Sequence, residues 1–333
     1  MEKNKVKIGV IGIGHLGKLH TKMFASIEEC ELVGVYDKDI DKAKLVATEF
    51  NCLAFNSLHE LLDKVDAVSI AAITSVHHEI GKYCLQKGVH IFIEKPITVT
   101  IEEAEDLVQT AHEKRLNLQV GHIERFNPAL LTLEKYNIEP KFIQTDRLAQ
   151  FNPRGTDVAV VLDLMIHDID IILSLVKSEV AKVDASGVAV VSDTIDIANA
   201  RIEFENGAVA NVTASRISQK KMRKMRIFQR DNYISLDFTT GVSEVFRLVP
   251  SNVDVESAHI NYGEIGIGEK KKKVIYEQPE QREVNALHYE LRLFILSILN
   301  KEKPLVSGED GLRALKVARM IIEKIEESVK KVL

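Results

Sequence analysis

Four ionisable side chains interrupt an apolar segment near the middle of the chain. Residues 161–173 are otherwise mostly Val, Leu, Met and Ile, and they contain Asp163, His167, Asp168 and Asp170. At α-helical spacing Asp163, His167 and Asp170 share one face of a helix, whereas Asp168 points away from it. A carboxylate beside an imidazole orients the ring and tunes its pKa towards neutrality, as a general base requires. We therefore predict that Asp163 and His167 act in catalysis and substrate binding, and that Asp168 is structural.

Other interpretations of this cluster stay open at this stage. A buried helix can pair a histidine with a carboxylate one turn away for stability alone. The Asp-x-x-x-His spacing also supplies two zinc ligands, but no third ligand lies nearby in the sequence, so no metal site is predicted. An unpaired buried carboxylate costs several kcal/mol, and the cluster therefore requires a compensating network, metal or ligand.

A glycine-rich turn near the start of the chain predicts a dinucleotide site. Gly12, Gly14 and Gly17 in "VIGIGHLGKLH" have the G-x-G-x-x-G spacing, directly between a predicted strand and a predicted helix. The backbone of such a turn approaches a pyrophosphate at the positive end of the helix. The predicted cofactor-binding residues of the turn are Gly12, Ile13, Gly14, His15, Leu16 and Gly17.

Asp37 ends the second predicted strand, twenty residues after Gly17. A carboxylate at this position accepts hydrogen bonds from the ribose hydroxyls and repels a ribose phosphate. The sequence therefore favours NAD over NADP as the cofactor. Lys38 weakens this preference slightly, because its side chain could turn towards a phosphate.

Four more residues stand at the ends of the third and fourth predicted strands, namely Thr74, His77, Glu94 and Lys95. In a parallel sheet the carboxyl ends of the strands face the cofactor crevice, so all four are predicted to bind the cofactor. Lys95 precedes Pro96, which restricts the chain where a lysine would meet the nicotinamide. A surface role for Lys95 or for His77 is the alternative.

The elements that position these residues follow two patterns. Residues 5–120 alternate short Val- and Ile-rich runs with amphipathic stretches, which predicts a doubly wound, parallel Rossmann sheet. After residue 121, polar and apolar residues alternate, and Asn-Gly in "FENGAV" predicts a hairpin in a large, mostly antiparallel sheet. The predicted fold class is α/β, with a cofactor domain at residues 1–121 and an α+β domain at residues 122–333. The C-terminal helix is expected to pack back on the first domain.

Composition disfavours several classes of partner. The 333 residues are 45% hydrophobic and carry a net charge of -5, which disfavours nucleic acid and anionic membranes as partners. The apolar run near the start is too short for a signal peptide or a membrane span, so a cytoplasmic protein is expected. Cys30, Cys52 and Cys84 have no C-x-x-C spacing and are predicted to be reduced, buried thiols.

Together these motifs resemble the glucose-fructose oxidoreductase, inositol dehydrogenase and MocA family. The resemblance covers nearly the whole chain and rests on "GIGHLGKLH", "EKP" at 94–96, "DLMIHDID" and "PLVSGEDGLRAL". It implies oxidation of a sugar or cyclitol hydroxyl by a nicotinamide, and an open sheet in the second domain that forms a homodimer or homotetramer. The catalytic lysine, histidine and aspartate of the family match Lys95, His167 and Asp163.

Two segments, "GHIERFNPA" and "VVLDLMIHDIDIILSLV", resemble the branch of this family that oxidises the 3-hydroxyl of UDP-N-acetylglucosamine. A diphosphate substrate requires cations. Arg125, Asn127 and Arg154 are the predicted substrate-binding residues besides the catalytic pair. Further candidate cations are Arg147, Arg216 and the segment "QKKMRKMR" at residues 219–226. The alternatives are a dehydrogenase of free inositol or hexose and, less favoured, a non-catalytic regulator that binds a dinucleotide.

Overall fold

Six parallel strands form in the first part of the chain, and all but the third come from the Val- and Ile-rich runs. The strands are β1 (Val6–Ile11), β2 (Cys30–Tyr36), β3 (Leu53–Ala54), β4 (Ala67–Ile70), β5 (His90–Glu94) and β6 (Leu118–Gly121). Their order in the sheet is β3-β2-β1-β4-β5-β6, and every neighbouring pair is parallel. The order reverses direction between β1 and β4, which is where such sheets bind their ligands. The predicted doubly wound parallel sheet is confirmed.

The computed structural model describes residues 5–152, 158–252 and 260–330. The chain divides into a first unit, Met1–Phe126 with Val284–Lys316, and a second unit, Asn127–Glu283 with Val317–Leu333. The helices are α1 (His15–Phe24), α2 (Ile40–Glu49), α3 (Leu58–Leu62), α4 (His77–Gln86), α5 (Ile101–Lys114), α6 (Pro128–Leu131), α7 (Ile166–Val176), α8 (Ala286–Asn300) and α9 (Gly308–Lys330). The domain boundary at residue 121 stays a prediction.

The core of the first unit forms where helices cover the parallel sheet. Ile8 of β1 and Phe92 of β5 are completely buried, together with Phe294 of α8. The rings of Phe92 and Phe294 meet edge to face with centroids 5.9 Å apart. Helix α8, although distant in the sequence, therefore completes this core.

The second unit contains a nine-stranded sheet. Its strands are β7 (Phe142–Leu148), β8 (Val180–Val188), β9 (Ile197–Phe204), β10 (Val209–Ser215), β11 (Met222–Phe228), β12 (Asn232–Asp237), β13 (Val242–Pro250), β14 (Ile260–Ile265) and β15 (Lys272–Glu277). The order is β14-β15-β13-β12-β11-β7-β10-β9-β8, and only β7 and β10 pair in parallel among the described strands. The predicted antiparallel sheet is confirmed, as is the hairpin at Asn206-Gly207 between β9 and β10.

A row of aromatic rings crosses neighbouring strands of this sheet. Phe142, Phe228, Tyr233, Phe246 and Tyr276 are direct cross-strand partners from β7 through β15. Consecutive ring centroids lie 4.9 to 5.9 Å apart. We call these five residues the aromatic row. Its members are half-buried or exposed, so they lie on the face of the sheet opposite to the buried core positions.

The cysteines form no disulfide in the structure. Cys30 and Cys84 are buried, and burial raises the pKa of each thiol to about 12. Cys52 is only half-buried, which corrects the expectation of three buried thiols, and burial raises its pKa to about 11. No helix in the described ranges is long and apolar enough to cross a membrane.

Candidate active site

The turn between β1 and α1 has space for a ligand at one glycine and close packing at the other two. Gly12 has a φ of +85°, and a Cβ there would lie 2.7 Å from the backbone of Ala72. A Cβ on Gly17 would lie 1.8 Å from the carbonyl oxygen of Gly12. A Cβ on Gly14, in contrast, would meet no described atom within 4 Å. The glycines therefore have different purposes, and Gly14 is the one that borders open space.

The N-terminus of α1 can receive an anion. Its first turn, which lies wholly within the described residues 5–152, contains no acidic side chain, and its N-cap is Gly14. Unpaired N–H groups and the helix dipole favour a negative group at such a terminus. His15 and Leu16 are exposed there, whereas the side chain of Ile13 is buried. A pyrophosphate fits this terminus.

Asp37 lies beside the same turn and is held by two backbone groups. The Ile13 N–H donates to Oδ2 over 2.5 Å, and the Asp39 N–H donates to Oδ1 over 2.9 Å. Each carboxylate oxygen keeps a lone pair after these bonds, so the group can still accept protons from ribose hydroxyls. The residues of the turn and Asp37 together fit a dinucleotide.

The end of β4 is joined to the end of β5 by His77. This histidine is buried, with Nε2 3.0 Å from the Ala72 carbonyl and Nδ1 3.1 Å from the Pro96 carbonyl. Burial lowers the pKa of the imidazole, although the hydrogen bonds to the backbone oppose the shift. A neutral ring donates to one of these carbonyls only. Thr74, which begins a 3-10 turn in the same loop, is half-buried.

Glu94 and Lys95 stand at the end of β5, as the sequence predicted, and the Lys95-Pro96 peptide is cis. Glu94 Oε1 lies 3.1 Å from Nε2 of His20, a buried residue of α1. Nδ1 of the same histidine lies 2.8 Å from Ser69 Oγ on β4. Sequence reasoning missed His20 and Ser69. The available signal was the position of His20 three residues after Gly17, on the face of α1 that the glycine brings against the sheet.

Arg125 and Asn127, predicted to bind substrate, belong to different units. The Arg125 guanidinium lies 3.9 Å from the carboxylate of Asp310 in α9. Asn127 accepts a hydrogen bond from the Ala129 N–H as the N-cap of α6, and donates another to the Phe238 carbonyl. The amide of Asn127 therefore has a structural purpose that the sequence did not indicate. Arg154 lies outside the described residues.

Asp163 and His167 occur together in the second unit, at the start of α7. Asp163 belongs to a π-helical turn, Val161–Met165, and His167 to the first turn of α7. The i→i+5 bonding of a π turn departs from the uniform α-helical spacing that the sequence suggested, and such turns are frequent at functional sites. Both side chains are half-buried. In the described part of the chain, no group of three or more His, Cys, Asp or Glu could hold a metal.

Two of the arginines suggested for a diphosphate take part in buried ion pairs of the second unit. Arg147 forms a two-pronged pair with Asp168, with nitrogen–oxygen distances of 2.8 and 2.9 Å and both side chains 3% exposed. Arg216 lies 3.8 Å from the buried carboxylate of Asp196. Asp168 is structural, as predicted, and these pairs leave Arg147 and Arg216 poorly placed to bind a substrate.

Comparison with protein families places both parts of the chain in one group. Residues 6–122 match the GFO/IDH/MocA oxidoreductase family with its NAD-binding Rossmann fold. Residues 140–241 match the GFO/IDH/MocA C-terminal domain. The two matches lie on the parallel and the antiparallel sheet, respectively.

Individual relatives include dehydrogenases of different sugars. UDP-N-acetylglucosamine 3-dehydrogenase from Acidithiobacillus ferrooxidans is 43% identical over 242 residues, which is 72% of this chain and 77% of that protein. Its solved structure superposes with a TM-score of 0.87, covering 97% of this chain and 99% of the other. Myo-inositol 2-dehydrogenase from Thermotoga maritima is 25% identical over 341 residues, 97% of either chain. A levoglucosan dehydrogenase solved with NADH and levoglucosan is 18% identical and shares the fold, with a TM-score of 0.82 and coverage of 97% and 98%.

Proposed function

Because this chain belongs to the GFO/IDH/MocA family of oxidoreductases, we propose that it is an NAD-dependent dehydrogenase of a nucleotide sugar. The proposed reaction oxidises the 3-hydroxyl of UDP-N-acetylglucosamine, or of a related nucleotide sugar, to a ketone. The observation that carries this proposal is the 43% identity to UDP-N-acetylglucosamine 3-dehydrogenase over 242 residues. The TM-score of 0.87 over nearly the full length of both chains supports it.

NAD is the proposed cofactor because of how Asp37 is held. Two backbone N–H groups fix its carboxylate beside the glycine turn. A ribose phosphate placed there would repel this anion by about 1 to 4 kcal/mol at 4 Å, depending on the local dielectric constant. The proposed cofactor contacts are the turn residues Gly12, Ile13, Gly14, His15, Leu16 and Gly17, together with Asp37, Thr74, His77, Glu94 and Lys95. We assign to His77 the shaping of two loops, because its ring nitrogens face the Ala72 and Pro96 carbonyls.

The reaction assigns one task to each predicted catalytic residue. A bound nicotinamide would supply the acceptor for the hydride that leaves the sugar carbon. His167 takes the hydroxyl proton, Lys95 donates a hydrogen bond to the same oxygen and stabilises its developing negative charge, and Asp163 orients the imidazole. Arg125, Asn127 and Arg154 remain proposed substrate contacts; the local bonds of Asn127 support a role in shaping the loop.

A dehydrogenase of free inositol is the second candidate. The relation to myo-inositol 2-dehydrogenase extends over 97% of both chains, although at only 25% identity. The buried pairs of Arg147 and Arg216 also remove two cations from the set that a diphosphate could use. The cations that remain from this set are Arg125, Arg154 and the basic side chains of residues 219–226.

The experiment compares substrates directly. Purified protein is mixed with NAD and, separately, with UDP-N-acetylglucosamine, inositol or glucose, and NADH formation is followed by absorbance. We expect NADH only with the nucleotide sugar, and calorimetric titration should detect binding of UDP alone. Turnover of inositol without any binding of UDP would replace the nucleotide-sugar assignment with the second candidate.

Self-association through the nine-stranded sheet is also proposed. The aromatic row crosses β7, β11, β12, β13 and β15, and Phe228 within it is 38% exposed. Contiguous apolar surface of this kind commonly marks a contact between subunits. Introducing lysine at Phe228 and Tyr233 should lower the mass measured by light scattering, whereas lysine at the exposed Leu45 of α2 should not.

A further inference from the structure

A buried polar chain connects α1 to the peptide that carries Lys95. His20 is fully buried, with Nδ1 2.8 Å from Ser69 Oγ and Nε2 3.1 Å from Glu94 Oε1. The second carboxylate oxygen, Glu94 Oε2, accepts a hydrogen bond from the Lys95 N–H over 3.3 Å. The His20 imidazole is thus linked to the backbone of Lys95 through the Glu94 carboxylate.

We propose that His20 is a positioning residue of this dehydrogenase, which fixes the Glu94 carboxylate and, through it, the backbone of Lys95. This inference rests on the proposed function, since it requires that Lys95 acts on the substrate hydroxyl. His20 acts from within the core, and its effect on the reaction passes through Glu94.

The neighbouring strand β6 confines Glu94 from a second side. A Cβ on Gly121 would lie 2.9 Å from Oε1 and 3.0 Å from Oε2 of Glu94. Any side chain at position 121 would therefore displace the carboxylate. Glycine leaves the room that Glu94 occupies, and the 3.1 Å contact with Nε2 of His20 selects the orientation of the carboxylate within that room.

The burial and negative charge of the Glu94 carboxylate are consistent with its being held by His20. The Glu94 side chain is only 13% exposed, and a carboxylate so far buried is costly unless it is paired. Burial by itself would raise the pKa of Glu94, but its contact with His20 and the charge of Lys95 together lower it. The His20 ring also meets Phe92 edge to face at 5.5 Å, which restricts its rotation.

Loss of His20 should misplace Lys95 relative to the reacting atoms of the substrate. A shift of about 1 Å in a reacting group can lower a rate about 100-fold. His20→Leu removes both nitrogens, whereas His20→Gln keeps an amide N–H that can reach towards Glu94. We expect kcat to fall roughly 10- to 100-fold in His20→Leu and to recover in part in His20→Gln.

Two controls separate positioning from general destabilisation. His90 stands at the opposite end of β5, where Nδ1 accepts a hydrogen bond from the Asn117 N–H. The matched variant His90→Gln should keep the kcat of the unmodified protein. ADP-ribose is expected to bind at the glycine turn and lacks nicotinamide, so its affinity should be unchanged in every His20 variant that retains the fold.

A double-variant cycle tests the route through Glu94. If His20 acts through that carboxylate, His20→Leu combined with Glu94→Gln should be no slower than the slower single variant. A loss of kcat in the double variant that equals the product of the losses in the two single variants would overturn the proposal. So would full kcat in His20→Leu, or a loss of ADP-ribose affinity that matches the loss of activity and that His20→Gln does not repair.

Different results would disprove the proposed function and the inference about His20. An active Lys95→Met protein would remove the assigned role of Lys95, and the inference about His20 with it. An inactive Lys95→Met protein beside a fully active His20→Leu protein would overturn the inference alone. If another sugar is oxidised in place of the nucleotide sugar, the substrate assignment fails, and the His20 variants are measured with that sugar. If no sugar is oxidised, the proposed function and this inference both fail.

Discussion

The Ile13 N–H donates a 2.5 Å hydrogen bond to the Asp37 carboxylate, so the glycine turn and the end of β2 are directly joined. The two parts of the dinucleotide motif, separated in the sequence, are therefore one structural feature. Changes at Asp37 should affect both the choice of cofactor and the shape of the turn.

Asp37→Asn should weaken NAD binding and narrow the preference for NAD over NADP. The substitution removes the negative charge that favours ribose hydroxyls and repels a phosphate. Hydrogen bonds to charged groups contribute about 1.5 to 3 kcal/mol, equivalent to a roughly 10- to 100-fold loss of NAD affinity. Titration with both dinucleotides measures the change, with the exposed Asp41→Asn as control. An unchanged ratio of the two affinities would remove Asp37 from the assignment.

Gly14→Ala should lower dinucleotide affinity, whereas Gly17→Ala should lower the stability of the fold. A methyl group on Gly14 meets open space, so the protein should fold normally and lose at least about tenfold in dinucleotide affinity, because the methyl group occupies the space of the pyrophosphate. A methyl group on Gly17 collides with the Gly12 carbonyl, and overpacking of this kind costs about 1 to 3 kcal/mol or more. Thermal unfolding and ADP-ribose titration of both variants separate the effects. Normal affinity in Gly14→Ala would contradict the assigned position of the pyrophosphate.

Lys95→Met and His167→Gln should each lower kcat by about 100- to 10,000-fold. Lys95→Met removes the cation beside the reacting oxygen, and His167→Gln removes the proton acceptor. Neither change should affect ADP-ribose binding, since the predicted cofactor contact of Lys95 is with the nicotinamide, which ADP-ribose lacks, and His167 is assigned to the substrate. Lys114→Met and His59→Gln alter exposed residues and are the matched controls. Turnover at the unmodified rate in either active-site variant would refute its assigned role.

Arg147→Met should destabilise the second unit by about 3 to 5 kcal/mol, because it leaves the Asp168 carboxylate buried without its partner. The control is Arg201→Met, which breaks an exposed pair with Glu203 and should cost no more than about 1 kcal/mol. Urea unfolding followed by circular dichroism compares the two. Equal and small effects would show that the Arg147 pair contributes little to stability.

Local sequence patterns were sufficient for most of the fold. Val- and Ile-rich runs predicted the parallel strands, since strands buried on both faces need continuous apolar sequence. The two-residue β3 and the five-residue α3 were missed, because segments this short show no clear periodicity. Strand β7 was also missed, because its buried positions include Thr145 and Arg147 and so show no apolar alternation. Its pairing with β10 leaves no local pattern either, since the two strands are distant in the sequence.

Residues of the candidate site could be predicted where their spacing in the sequence indicates their function. The glycines and Asp37 followed from their separations. The structural purpose of Asn127, Arg147 and Arg216 did not, since each depends on a partner that is remote in sequence. His20 was missed for the same reason: Ser69 and Glu94 become its neighbours only when α1 packs on the sheet.

The position of β7 has a consequence for the order of folding. Strands β8, β9 and β10 pair with their sequence neighbours, as do β11, β12 and β13, so each group can form by local hairpins. β7 precedes all of them in the chain, yet it lies between β10 and β11 and joins the two groups. Contacts between distant segments form slowly, because a long loop must close first. We expect pulse-labelled hydrogen exchange to protect the β7 amides after those of β9; earlier protection would exclude this order. The first strand of the sheet to leave the ribosome would then be held without partners until both groups exist.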